Sequence, residues 1–178
     1  MKTKLSKELE KQDGEELLRL IKELARRFPV ASMYLTMEFG LDSQPIIDKY
    51  KKQIYKEYFP TRGHGKARSS RVNKILKEFT QVAAFQEDVL DIRLYQVELA
   101  VEYYRSYVYD YEPFITNLFK NWSTLIGMLH KEGLVGDYNE RVGRMFNDKF
   151  VRYFVGEQMQ AMWEAGPEPE KETDSEED

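Results

Sequence analysis

Arg62, His64, Lys66 and Arg68 alternate with two glycines, Gly63 and Gly65, inside the stretch 58–71, and Arg71 follows one turn later. Residues of these types at this spacing can hold an anion. Glycines let backbone amides approach a negative group closely, and a helix starting just beyond them aims further N–H donors at it. Arg62 and Arg68 can add paired contacts, and Lys66 a mobile point charge. The expected binding set is therefore Arg62, Gly63, His64, Gly65, Lys66, Arg68 and Arg71. The same residues also fit a plain interhelical linker, with glycines turning the chain and charges facing water. Two nucleotide motifs are excluded. The spacing from glycines to lysine is not that of a Walker loop, and a dinucleotide fingerprint requires a preceding strand that the pattern does not supply.

Other chemistry is poorly provided for. The chain has no cysteine and only two histidines, His64 and His130. Disulfides, thiolate zinc sites and a cysteine nucleophile are thereby ruled out. Glu98 and Glu102 are four apart, and Asp88 and Asp91 precede them, but the Glu-x-x-His pairs of a carboxylate-bridged metal site are missing. Ordinary solvated or cap roles account for these acids. Ser69, Ser70 and Ser123 lie in no nucleophile elbow. These gaps point away from an enzyme, and no metal or cofactor is expected.

Charge is segregated along the chain. Between residues 49 and 77 there are ten lysines and arginines, with Glu57 the only acid, although the whole chain carries a net charge of −4. Between residues 164 and 178 there are eight acids and one base, Lys171. The basic middle predicts an anionic partner, with an acidic protein favoured. Nucleic acid is the alternative, because Tyr50, Tyr55, Tyr58 and Phe59 are interleaved with the lysines and could stack on bases. Those aromatics also sit at the spacing of a buried helix face, and an overall pI of about 5.4 weighs against a dedicated nucleic-acid binder. An enzyme acting on a phosphorylated small molecule is a third reading. The longest uncharged apolar stretch, around 121–130, is about half the roughly 20 residues of a membrane span. No apolar signal core follows the Lys-rich start, so a cytoplasmic protein is expected.

The elements that must position the basic turn read as helices throughout. Leu17, Leu18, Ile21, Leu24 and Phe28 recur at helical spacing behind a capping Asp13, and Pro29 ends that run. A helix carrying Ile46, Ile47, Tyr50, Ile54 and Tyr58 enters the turn, with Asp42 or Ser43 as cap and Pro45 in its first turn. One carrying Val72, Ile75, Leu76 and Phe79 leaves it, with Ser69 or Ser70 as the expected N-cap. The structural centre is expected over 87–109. There, one stripe of Leu90, Leu94, Val97, Val101 and Tyr104 is joined by a second of Ile92, Tyr95, Leu99, Tyr103 and Tyr107, so the helix must be covered on both sides. Asp110 and Pro113 mark the next helix, which Gly133 caps, and Asp137 caps another that breaks at Asn147 and Asp148. The fold class is all-α, an irregular bundle or a short stack of antiparallel helical hairpins, with the stack preferred. Residues 1–163 are read as one helical domain and 164–178 as a disordered acidic tail.

Leu5, Ser6 and Lys7 at the start, Arg26, Arg27 and Phe28 at a helix end, and the turn from Phe59 and Pro60 through Gly63, Gly65, Lys66, Ala67 and Arg68 together resemble a bacterial family known only as a domain of unknown function. The resemblance runs over about residues 5–80 and implies a helical, intracellular bacterial protein. It implies no activity. The function expected is that of a non-catalytic interaction module presenting residues 62–71 to an anionic partner.

Overall fold

The computed structural model describes residues 3–107, 111–146, 150 and 153–167 of the chain. Among these residues helix is the only regular structure, with no strand: α1 (Lys4–Leu9), α2 (Gly14–Arg27), α3 (Pro29–Glu38), α4 (Gln44–Tyr58), α5 (Ser69–Thr80), α6 (Gln86–Tyr107), α7 (Glu112–Glu132), α8 (Val135–Met145) and α9 (Phe154–Ala165). Of the two arrangements expected, the bundle is the one found. α6 is its central post, packed against α4, α5 and α7, while α8 and α9 close on α7. Among the described residues no helix is long and apolar enough to cross a membrane.

Both apolar stripes of α6 are covered by the chain itself. Leu90, Leu94, Val97 and Val101 are buried on one side, and Ile92, Leu99 and Tyr103 on the other. That explains why a helix so rich in apolar residues shows little one-sidedness: it has no solvent face along most of its length. Trp122 of α7 is fully buried, donates its indole N–H to the Met159 carbonyl at 2.8 Å and stacks on Trp163, tying α9 to the bundle.

The helix ends follow local chemistry with three corrections. Asp13 caps α2 by accepting from the Glu16 amide at 2.8 Å, and Gly133 ends α7 in the left-handed conformation, as expected. Pro29 does not merely stop α2; it sits in the first turn of α3, where its missing N–H costs nothing. α5 begins at Ser69 itself, so neither Ser69 nor Ser70 is its N-cap; Arg68 takes that position. α8 starts at Val135 after Leu134, which leaves Asp137 inside the first turn, not at the cap. The start expected at Asp110, the break at Asn147 and Asp148, and the tail over 168–178 all lie outside the described residues. Glu164 and Ala165, assigned to the tail, belong to α9.

The amino-terminal helices are the exception to this burial. α2 packs with α3 and buries none of its residues, so Leu18, Ile21, Leu24 and Phe28 remain exposed. α3 reaches the core through Met37.

Candidate functional site

The basic turn is built around Glu57, the one acid between residues 49 and 77. α4 ends at Tyr58, which leaves its last carbonyls without intrahelical partners. The chain then folds back over that end, and the amides of Lys66 and Ala67 both donate to the Glu57 carbonyl at 3.1 Å. The backbone donors that might have cradled a phosphate therefore cap α4 instead. Gly65 passes so close that an added Cβ would lie 1.8 Å from the Tyr58 carbonyl oxygen. Where the turn meets α6, the Tyr103 hydroxyl donates to the Gly65 carbonyl at 2.9 Å, and the His64 ring packs edge-on against Tyr107.

The Glu57 side chain does what an external anion was expected to do. It lies at the amino end of α5, where it accepts from the Arg68 amide at 3.2 Å and from Arg68 Nε at 2.8 Å and Nη2 at 3.2 Å, with Arg71 Nε at 3.6 Å. Its side chain is 7% exposed. Burial raises its pKa, but hydrogen bonds and charge from Arg68, then the charge of Arg71, outweigh that and hold it below the usual glutamate range. α5 has no side-chain cap from its own N-cap residue, and a carboxylate at that end serves its dipole.

The expected site residues thus divide. Gly63, Gly65 and Arg68 build the turn, and Arg71 half-joins them. Arg62, His64 and Lys66 are exposed on its outer surface. Among the described residues Lys52, Lys56, Arg62 and Lys66 make no ion pair. Two concavities flank the turn. A groove of about 370 Å³ between α4 and α5 carries Lys56, Arg71 and Lys74 around Glu57, with Glu78 at its edge. Behind the turn, Lys66, Tyr58, Gln96, Asn117 and Asn121 line a cavity of about 240 Å³, in which Gln96 Nε2 donates to the Tyr58 oxygen at 3.1 Å. Burial pushes the Tyr58 hydroxyl up to about 12. Of the four aromatics offered for base stacking, Tyr50 and Tyr58 are buried and Phe59 is half-buried against Tyr103, leaving Tyr55 exposed.

A family model described as a family of unknown function (DUF6155) matches residues 1–165. The chain belongs to that family. The match extends well past the stretch 5–80 in which the resemblance was visible, through α6–α9. Comparison with curated proteins and with solved structures gives no match.

A second charged cluster escaped the sequence reading. Arg141 of α8 makes a two-pronged bond to Glu98 of α6, at 2.6 and 2.7 Å, and also bonds Asp91, which holds Lys51 of α4 at 2.7 Å. Of the acids expected to cap a helix or face water, Asp91 and Glu98 instead bind α8 and α4 to α6. Burial raises the Asp91 pKa, and the bond to Lys51 with the charge of Arg141 more than reverses it. Arg141→Met is expected to cost about 1–2 kcal/mol, because it leaves Glu98 without its partner and Asp91 with Lys51 alone, both carboxylates still reaching some solvent. Urea denaturation followed by circular dichroism measures it.

Proposed function

We propose that the protein is a non-catalytic interaction module whose α4–turn–α5 face docks an anionic partner, most favourably an acidic segment of another protein. One observation carries this: Lys52 and Lys56 on α4, and Arg62 and Lys66 on the turn, have no acidic partner among the described residues, and the turn is held against α4 and α6 through Gly65, Lys66 and Ala67. The helix and the turn fix the backbone beneath these cations, so binding a partner orders side chains alone. The turn amides are already engaged by Glu57, which favours side-chain contacts over a broad surface rather than a closed pocket for a small phosphate. Scarcity of exposed aromatics on the same face favours a protein over nucleic acid. With this goes the reading of residues 1–163 as one helical domain of a cytoplasmic bacterial protein, its turn a motif of the family.

Fluorescence anisotropy with a labelled twelve-residue Glu/Asp-rich peptide tests the reading. Binding is expected at low salt and is expected to weaken as salt rises. The triple variant Lys56→Glu, Arg62→Glu, Lys66→Glu should lose at least about tenfold in affinity, some 1.4 kcal/mol. An unchanged affinity in that variant, or no binding at low salt, would sink the proposal. Tighter, more steeply salt-dependent binding of a single-stranded 20-mer would transfer the face to nucleic acid.

A further inference from the structure

We infer that the cavity behind the turn is a binding site for a small neutral molecule with an amide edge, a pyrimidine base being the form that fits its lining. It lies where the end of α4, the turn, the start of α5 and the facing sides of α6 and α7 meet. Tyr58 and Gln96 form its floor and are 3% and 2% exposed. Asn117 and Asn121 are half-buried nearer the opening, and Lys66 stands exposed at the rim. Among the described residues, Glu57 and Gln96 are the two polar or charged members of the core. Arg68 accounts for Glu57. Nothing in the chain accounts for Gln96 in the same way. Its Nε2 donates to the Tyr58 oxygen, but among the described residues no donor reaches its Oε1. A buried amide left half-paired is costly, and a partner from outside the chain removes that cost.

The unpaired groups say what that partner is. Burial pushes the Tyr58 hydroxyl up to about 12, so it keeps its proton at neutral pH and can donate. Beside it, Gln96 Oε1 can only accept. A donor and an acceptor side by side are both satisfied by C=O and N–H on neighbouring atoms, as in a lactam or the edge of a nucleobase. The pattern repeats nearer the opening. Asn121 Nδ2 donates to Asn117 Oδ1 at 3.0 Å, which leaves Asn117 Nδ2 to donate and Asn121 Oδ1 to accept. A carboxylate or phosphate inside would set its charge against these two free amide oxygens. A cation would meet no acid, because the formal charges of the lining are Lys66 and Arg68. Ala100, Phe114 and Leu118 supply apolar walls for the faces of a ring. At about 240 Å³ the cavity is smaller than the roughly 300–1,000 Å³ of sites for drug-sized ligands, which suits a single ring. This site is separate from the outward surface proposed for an acidic partner and shares only Lys66 with it.

The test uses the full chain, with uracil as the probe. Saturation-transfer NMR and titration calorimetry, run to about 10 mM, are expected to show uracil binding at one site. Dimethyluracil, whose two ring N–H groups are methylated, keeps the ring and both carbonyls and should not bind. Gln96→Leu, which preserves the volume, should weaken uracil at least about tenfold while the helical circular dichroism stays unchanged. That substitution also unpairs the Tyr58 hydroxyl in the core. Asn117→Leu, at a half-buried position, therefore gives a second reading that does not depend on the core, and it too should weaken uracil. Absence of uracil binding at the highest concentration would overturn the proposal and leave a water-filled cavity. An affinity unchanged in either folded variant would overturn it as well, since the probe would then sit elsewhere. Equal binding of uracil and dimethyluracil would show a ring-shaped hollow in which the amide edge is not read, and would also overturn it.

Discussion

Replacing Gly65 with alanine is expected to destabilise the protein by about 3 kcal/mol or more, larger than most overpacking changes. The added carbon would sit 1.8 Å from the Tyr58 carbonyl oxygen and 2.5 Å from its carbon, both backbone atoms at the end of α4. No rotamer change relieves a clash with backbone, so the turn must lift by more than an ångström. Lifting it stretches the two amide bonds from Lys66 and Ala67 to the Glu57 carbonyl and the Tyr103 hydroxyl bond to Gly65. Each is worth about 1 kcal/mol, and the freed carbonyl adds its own cost. In a chain of this size the melting temperature should fall by roughly 6–12 °C. Gly127→Ala is the control: it lies inside α7 with open space around it, so it should gain about 0.5–1 kcal/mol from helix propensity. Thermal and urea denaturation of the two variants side by side separate a crowding effect from any general response to losing glycine.

The glycines of the turn were legible in the sequence as points of close approach, but what they approach was not. Spacing identifies Gly65 as a place where backbone comes near something; whether that is a phosphate or the end of the preceding helix depends on how the chain folds back. Glu57 left a usable signal, as a lone acid among ten cations that sits on the same helix face as buried Ile54 and Tyr58. An acid in that position is more economically a counter-ion than a stray. The helices themselves could be read with good effect, because 3.6-residue periodicity is local and α4 to α7 follow it closely. The register of caps was less legible: Ser69 has the right chemistry for an N-cap, yet the tie from Glu57 to Arg68 moves the helix start by one residue. The Arg141 cluster was out of reach altogether. Lys51, Asp91, Glu98 and Arg141 span 90 residues, and no pattern in the sequence says that α8 packs on the side of α6 bearing those acids. For α2 the failure ran the other way. Its apolar stripe was read correctly as a helix face, but a stripe does not declare whether its cover comes from the same chain.

Glu57→Ala is expected to cost about 2–4 kcal/mol, since it removes the acceptor of three Arg68 bonds and leaves cations facing one another. Glu57→Gln, which keeps the volume and one acceptor oxygen, should lose roughly half of that. The pH dependence distinguishes this from simple cavity formation. The folded-state pKa of Glu57 is lowered, so its contribution is complete above the ordinary glutamate value of 4.5 and fades as the pH falls through the lower folded value. The gap in stability between wild type and Glu57→Gln should therefore be full near neutrality and should shrink on acidification below that range; a gap independent of pH would mean that charge plays no part. A further consequence concerns anions. With the carboxylate gone, Arg68, Arg71 and the amino end of α5 become a vacant anion site of the kind the turn resembles in sequence. Millimolar sulfate should then raise the melting temperature of Glu57→Ala more than that of wild type, by mass action on the folded state. Equal shifts in the two proteins would show that Glu57 is not standing in for an anion.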